Sequence, residues 1–177
     1  MKILGIGNAI VDVICKVDDN FIAQNGLTKS TMKLIFDENE FKKLLSSLKI
    51  EKTVSGGSVA NSIVGLSQLG NKVGFIGKVN DDDLGVKYEE GLKKENVEYF
   101  YSKKKEELPT GTCLILITPD SERTMCTFLG TAGKINENDV DVNAVKNSEI
   151  IFLEGYLWDE GDPKSAFDKA IQNSNKV

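Results

Sequence analysis

The sequence GIGNAIVD, residues 5–12, is the first stretch whose residue types and spacing could do chemistry. Two glycines one residue apart after an apolar run suggest a dinucleotide-binding loop, but that loop needs a third glycine and a helix behind it. Ile10 occupies the third position, and the residues that follow alternate as in a strand. Two interpretations remain: a strand end with Asp12 on a solvated face, or a cleft in which Asn8 and Asp12 bind a sugar diol, because a carboxylate accepts several hydroxyl hydrogen bonds.

The sequence GGSVAN, residues 56–61, is a second candidate. Gly56 and Gly57 would let the backbone approach a ligand, since neither carries a Cβ atom. Ser58 can cap a helix whose first amides point outward, and Asn61, one turn further on, offers both a donor and an acceptor. The stretch fits a ligand-binding turn and an ordinary helix start equally well.

The acidic triplet in GKVNDDDLG, residues 77–85, suits either a cation or a helix dipole. It lacks the spacing of a calcium-binding loop, and acidic residues just before a helix are stabilised by its N-terminal dipole. We therefore predict that these residues interact with the dipole of the following helix and form no metal site.

Two isolated charges complete the candidates. Arg123 is the only arginine of the chain and lies in PDSERT, a predicted loop. It is either a surface residue or a phosphate clamp carried by a mobile segment. Glu154 ends the buried strand in FLEG, and open α/β sheets bind their ligands outside the carboxyl ends of strands.

The elements that must position these residues follow from the apolar periodicity. Segments 38–48, 58–70, 83–96 and 162–173 have helical spacing, with Asp162 predicted as the cap of the last. Apolar strands at 2–7, 71–79 and 148–155 alternate with these helices, which predicts an α/β fold with a mostly parallel sheet flanked by helices. Half-polar strands at 13–17, 31–37 and 97–101 predict a smaller, more exposed sheet, and 112–117 with 124–129 predict a strand pair.

Composition excludes several classes of function. The 177 residues contain no histidine, which excludes Ser-His-Asp and Cys-His catalysis. A net charge of −5 argues against nucleic acid as a partner. Three cysteines without a C-x-x-C pair indicate a reducing, cytoplasmic location, and no apolar run reaches the roughly 20 residues needed to span a membrane.

Residues 55–85, SGGSVANSIVGLSQLGNKVGFIGKVNDDDLG, resemble the N-terminal signature of the ribokinase-like (PfkB) family of carbohydrate and nucleoside kinases. Asn80 stands where that family usually has glycine. The segments PTGTC, residues 109–113, and ERTMCTFLG, residues 122–130, are most similar to the adenosine-kinase-like branch, although sugar kinases share much of this pattern. The resemblance extends from GIGNAIVD to LEGYLWD.

The resemblance implies a role for each candidate. Asp12 would bind the ribose hydroxyls together with the Gly57 amide and Asn61, Gly56 would allow the close approach, and Asn8 would lie beside the base or sugar. Further pocket-lining positions would be Cys113, Met125, Thr127 and Leu129. Arg123 would meet the phosphates from a lid, and Glu154 would be a substrate-side acid. The lid strands would fall within 12–37 and 97–108, and the rest of 1–177 would form the core.

The resemblance also implies an absence, because the family's catalytic aspartate, in a GAGD segment, has no counterpart here. The expectation is therefore an N-terminal portion, truncated before the C-terminal half, with no catalytic or metal-binding residue of its own. ATP and Mg²⁺ would be held mainly by that other half, and the chain alone would be inactive.

The implied reaction is ATP-dependent phosphoryl transfer to a primary hydroxyl of a small molecule, adenosine first and ribose or fructose second. The alternatives are a non-catalytic substrate-binding fragment and, more remotely, an NAD-dependent oxidoreductase. Family lids also allow a homodimer through the lid strands.

Overall fold

Two β-sheets form the framework of the structure, a computed structural model that describes residues 1–158 and 161–174. The central sheet is parallel throughout and contains, in order, β6 (Glu98–Tyr99), β5 (Val73–Ile76), β1 (Ile3–Ile6) and β9 (Ile150–Leu153). The second sheet contains, in order, β3 (Met32–Leu34), β8 (Arg123–Phe128), β7 (Gly111–Ile117), β2 (Ile10–Lys16) and β4 (Ile50–Gly56). The strands are numbered along the chain.

The helices lie between these strands in the chain. They are α1 (Asp19–Gln24), α2 (Glu38–Ser46), α3 (Ser58–Gln68), α4 (Asp83–Lys94), α5 (Val142–Lys146) and α6 (Asp162–Asn173). Short 3₁₀ helices span Gly130–Lys134, Glu137–Asp139 and Gly155–Leu157.

The central sheet is covered by helices on both faces, as the sequence predicts. Along β1 the side chains alternate, because successive residues of a strand point to opposite faces. Ile3 packs in the main hydrophobic cluster with residues of α3 and α4, whereas Leu4 and Ile6 pack in a second cluster with residues of α5 and α6. This places α3 and α4 on one face of the sheet and α5 and α6 on the other.

The helix starts follow from local capping. The Asp82 carboxylate accepts a hydrogen bond from the Gly85 amide at 2.8 Å, so Asp82 caps α4, and Asp83 lies in the first turn, where an acidic residue suits the helix dipole. The predicted cap of α6 is wrong by one residue. Gly161, at a φ of 109°, occupies the cap position, and Asp162 is the first helical residue. A glycine takes that position because positive φ is costly for other residues.

The prediction that residues 97–101 belong to the smaller sheet is wrong. Glu98–Tyr99 pairs in parallel with Gly74 and Phe75 of the central sheet. The Tyr99 ring stacks on Phe75 with centroids 6.3 Å apart, and Tyr101 is buried in the main cluster. The half-polar pattern of this segment therefore reflects an edge strand of the central sheet.

The second sheet is also larger than the predicted ranges 12–37 and 97–108. The antiparallel pair β7–β8 is confirmed, but it lies in this sheet beside β2. Strand β7 looks like a core strand because Leu114 and Leu116 pack in the main cluster while Cys113 and Ile115 belong to an apolar opposite face. Strand β4 was not predicted, since its exposed edge position leaves it charged and polar.

Across residues 1–158 and 161–174, no helix is both long enough and apolar enough to cross a membrane.

Candidate substrate-binding site

The face of the second sheet that points away from the main cluster carries most of the predicted site. Along β2, Val11 and Val13 pack in the main cluster, so Asp12 lies on the opposite, open face. Strand register extends a row of side chains across this face, consisting of Leu34, Thr127, Cys113, Asp12 and Val54. The next row consists of Met32, Met125, Ile115, Ile14 and Lys52. Asp12 is the single carboxylate of these two rows.

Asp12 is a partly buried carboxylate without a cationic partner among the described residues. Burial raises the pKa of the Asp12 carboxyl from 3.8 to about 6. Desolvation disfavours the charged form of an acid, and here no nearby cation offsets it. At neutral pH the group is nonetheless mainly ionised and can accept hydrogen bonds from the hydroxyls of a ligand.

The glycine pair closes directly over this carboxylate. A Cβ atom on Gly56 would overlap the Asp12 carboxylate, so any larger residue here would displace that side chain. Gly57 has a φ of 96°, and a Cβ atom on it would lie 2.3 Å from the Asn8 carbonyl oxygen. The structure therefore brings Asn8, Asp12 and both glycines together as predicted, and it gives each glycine a steric reason.

Asn8 contributes an unsatisfied polar atom to this cluster. Its Oδ1 is buried and has no hydrogen-bond partner in residues 1–158 and 161–174, while the residue as a whole is 9% exposed. A buried amide oxygen without a donor is costly, and such groups are usually satisfied by water or a ligand. The position fits a ligand that offers a hydroxyl or amino donor.

The start of α3 is connected to the end of β9. The Ser58 hydroxyl donates a hydrogen bond to the Glu154 carboxylate across 96 residues of sequence. The N-cap of α3 is Gly57, and no side chain in the described part of the chain caps this helix. Glu154 thus stands at the C-terminal edge of the central sheet, as predicted, with Ser58 as its partner. Asn61 is exposed and borders a groove between β4, α3 and α4.

Three of the predicted pocket-lining residues, Cys113, Met125 and Thr127, share the open face. Cys113 and Leu129 pack with Ile10 and Ala132 in a small apolar cluster. The Thr127 hydroxyl donates to Cys113 Sγ at 3.3 Å, and burial raises the pKa of the Cys113 thiol to about 11, so the group is a neutral thiol. Leu129 does not lie on the strand, since β8 ends at Phe128 and a 3₁₀ helix follows.

Arg123 lies on the same face as Met125 and Thr127 but is exposed and remote from Asp12 along the strands. Its register partner is Ile117, whereas Thr127 pairs with Cys113, the neighbour of Asp12. Four residues of strand separate the two rows, which is about 13 Å. The structure does not place this cation beside the carboxylate.

Two sets of residues near the site were not among the predicted residues. Tyr88 of α4 is fully buried and donates a hydrogen bond from its hydroxyl to the Gly56 carbonyl oxygen at 3.2 Å. Lys78 is buried and contacts Asp139 at 3.1 Å and Glu106 at 3.4 Å. All three contacts join residues more than 25 positions apart, so no local pattern in the sequence indicates them.

The side chains that the structure describes do not form a binding site for Mg²⁺. Among residues 1–158 and 161–174, no group of three carboxylate, cysteine or histidine side chains is arranged to hold a metal ion. None of the described side chains is therefore assigned to a metal.

Comparison with known proteins decides the family. The model of the pfkB family carbohydrate kinase matches residues 6–176. The chain belongs to the PfkB family. Within that family, the curated 5-dehydro-2-deoxygluconokinase of Clostridium perfringens is 32% identical over 144 residues, which cover 80% of this chain and 43% of the relative.

Two solved kinase structures are similar to this chain in both sequence and fold. The adenosine kinase from Sinorhizobium meliloti is 35% identical with a TM-score of 0.87, and the match covers 98% of this chain and 53% of that one. A probable sugar kinase protein from Rhizobium etli is 33% identical with a TM-score of 0.86, covering 99% and 54%. This PfkB chain thus spans about half the length of its relatives and corresponds to their N-terminal portion.

Proposed function

We propose that this chain supplies the acceptor-binding half of an ATP-dependent kinase that phosphorylates a primary hydroxyl of a nucleoside, with adenosine as the first choice. The observation that carries the proposal is the Asp12 carboxylate, which has no cationic partner within residues 1–158 and 161–174 and lies between the Gly56–Gly57 turn and an apolar sheet face. A carboxylate in that setting suits a pair of sugar hydroxyls, because hydroxyl donors offset the loss of water around the charge.

A cavity next to this face supports a base beside the sugar. It measures about 350 Å³ and is lined by residues that include Leu34, Phe36, Phe128 and Leu129. Leu34 and Leu129 also border the row that contains Asp12. Since neighbouring strands are about 4.8 Å apart, Thr127 on β8 lies roughly 10 Å from Asp12. A planar aromatic base would fit between these residues while its ribose reaches the carboxylate.

A sugar kinase is the second candidate, with ribose, fructose or a keto sugar acid as substrate. It is favoured by the Clostridium perfringens relative, a 5-dehydro-2-deoxygluconokinase. The charge on the open face weighs against an acidic substrate. In the two rows around Asp12 the single cation is Lys52, on the edge strand β4.

In the proposed reaction the residues of this chain bind and orient the acceptor. Asp12 accepts hydrogen bonds from its hydroxyls, and the Gly57 amide donates one. The second sheet acts as the lid that excludes water, which matters because phosphoryl transfer depends on positioning and on protection from hydrolysis. ATP would supply the phosphoryl group and would be held, with Mg²⁺, by residues outside this portion, so we expect no turnover by the 177-residue chain alone. A cytoplasmic location and a homodimer through the second sheet remain predictions.

A ligand panel tests the proposal on the purified chain. The chain is titrated separately with adenosine, ribose, fructose, 5-dehydro-2-deoxygluconate and NAD. Each titration records the amide NMR spectrum and the melting temperature. Adenosine should perturb the amides around Asp12 and Gly57, and Asp12→Asn should remove that response. Asp83→Asn, at an exposed aspartate in α4, is the matched control and should retain it. A response to NAD alone would refute the proposed kinase function. A response to a sugar alone would favour the second candidate, a sugar kinase.

A further inference from the structure

Tyr88 lies at the edge of the site and has a buried hydroxyl group. The proposed function gives this residue no role. The side chain is completely inaccessible to solvent and packs against Phe75 and Tyr99, with ring centroids 6.2 and 6.0 Å away. Its hydroxyl donates to the Gly56 carbonyl oxygen at 3.2 Å. A tyrosine hydroxyl in such apolar surroundings requires a partner, and here the partner is the first glycine of the ligand-binding turn.

Helix α4 holds the end of β4 through a second contact as well. The Ser55 hydroxyl donates to the Tyr88 carbonyl oxygen at 3.1 Å. One residue of α4 therefore bonds to two consecutive residues of β4, once through its side chain and once through its backbone. These two contacts fix the orientation of the chain where it enters the glycine turn.

The orientation of the Gly56 carbonyl determines that of the next amide. The peptide between Gly56 and Gly57 is trans, so the C=O of one residue and the N–H of the next point in opposite directions. A carbonyl held toward the buried Tyr88 turns the Gly57 N–H away from the interior. Without this contact, the rotation of a peptide between two glycines would be poorly restrained, because glycine allows a wide range of backbone angles.

We propose that Tyr88 is a positioning residue that presets the Gly56–Gly57 peptide, so that the Gly57 N–H faces the hydroxyl of the bound substrate. The inference rests on the proposed function, in which that amide contacts the acceptor. Its physical benefit is preorganisation, since a donor already oriented in the free protein loses less conformational entropy on binding.

The protonation state of Tyr88 is compatible with this role. Burial, with a smaller contribution from the charge of Asp12, raises the pKa of Tyr88 well above its ordinary value. The group therefore remains a hydroxyl and a donor over the whole range in which the protein is handled.

The test compares Tyr88→Phe with Tyr99→Phe in the ¹⁵N-labelled 177-residue chain. Tyr99 is a matched control, because its hydroxyl donates to another glycine carbonyl, that of Gly77, at 2.5 Å. Two quantities are measured: the position of the Gly57 amide resonance without ligand, and the Kd for adenosine. We expect Tyr88→Phe to shift the Gly57 resonance and to weaken adenosine binding by about tenfold, whereas Tyr99→Phe changes neither.

The outcomes separate this inference from the proposed function. If Tyr88→Phe leaves the resonance and the Kd equal to those of the Tyr99→Phe protein, Tyr88 only packs and the inference is overturned. If wild-type protein does not bind adenosine, the nucleoside assignment fails, and the ligand-free resonance still decides the role of Tyr88. If Tyr88→Phe does not fold, the exchange rate of the Tyr88 hydroxyl proton is measured in the wild-type protein instead. A slowly exchanging proton close to Gly56 supports the inference, and a rapidly exchanging one contradicts it.

Discussion

Asp12 occupies a position that is unfavourable for its own charge. Its pKa, raised to about 6 by burial, means that the folded chain binds this proton more tightly than the unfolded chain does. Stability from this group is therefore fully present below pH 3.8 and is lost as the pH rises through about 6. A residue that costs stability at neutral pH is typical of a functional site rather than of a structural one.

The first prediction concerns stability. Asp12→Asn removes the buried charge while keeping the size of the side chain, so the melting temperature at pH 7 should rise above that of wild type. The difference should shrink between pH 6 and pH 4, where wild-type Asp12 becomes protonated. Thermal unfolding at several pH values measures it, and an equal difference at pH 4 and pH 7 would contradict the assigned pKa.

The second prediction concerns ligand binding. Protonation removes the negative charge and turns one carboxyl oxygen into a donor, which weakens its hydrogen bonds from the hydroxyls of a ligand, so the affinity for adenosine should fall as the pH decreases through about 6. At pH 5 the carboxylate would be about one-tenth ionised, and binding should be about tenfold weaker than at pH 7. Titration calorimetry at both pH values checks this, with Asp12→Asn as a reference that should show weak binding independent of pH.

At the scale of elements, the loop after β5 forms hydrogen bonds to residues 106–110, which precede β7. The Asn80 side chain donates to the Leu108 carbonyl at 2.9 Å and accepts from the Glu106 amide at 2.9 Å, and Asp82 accepts from the Thr110 amide and hydroxyl. Glycine, which the family resemblance leads us to expect at position 80, could make neither side-chain bond. The departure at Asn80 thus adds a fixed contact beside one of the connections between the sheets.

Lys78 of the same loop belongs to a cluster of charged residues with Lys104, Glu106 and Asp139. This cluster is the basis of the third prediction. Lys78 and Lys104 both contact Glu106 and Asp139, but the Lys78 side chain is 5% exposed and that of Lys104 is 60% exposed. Lys78→Met should lower the free energy of unfolding by about 3 kcal/mol, because it leaves buried carboxylates short of a partner. Lys104→Met should cost under about 1 kcal/mol, since exposed ion pairs contribute little. Denaturant unfolding of both variants tests this, and equal losses would contradict it.

At the scale of the whole molecule, β9 is the last strand of the central sheet within residues 1–158 and 161–174. Its side chains Ile150 and Phe152 are 52% and 36% exposed, although both are apolar and the neighbouring strand is buried. An unpaired apolar edge favours association with another strand.

The fourth prediction follows from this edge. Ile150→Lys should reduce self-association of the chain, because a charge on an edge strand opposes pairing with a second strand. Val86→Lys, at an exposed apolar position on α4, is the control and should not change it. Sedimentation velocity at several concentrations measures the effect, and a wild-type chain that remains monomeric throughout would contradict the premise.

The sequence by itself determined the features that depend on nearby residues. The acidic residues before α4, the glycine pair before α3, the alternation along β2 and the family signature across residues 55–85 are all local patterns, and they led to one predicted site that contains Asn8, Asp12 and the glycines.

Only the tertiary structure decided which sheet each strand joins. An edge strand of the central sheet and a solvent-facing strand of the second sheet have the same half-polar pattern, so residues 97–101 could be placed only by their pairing with β5. The same reason explains why Tyr88 and Lys78 were missed. Their roles come from single contacts across long separations in sequence, and such contacts form only after the elements have packed.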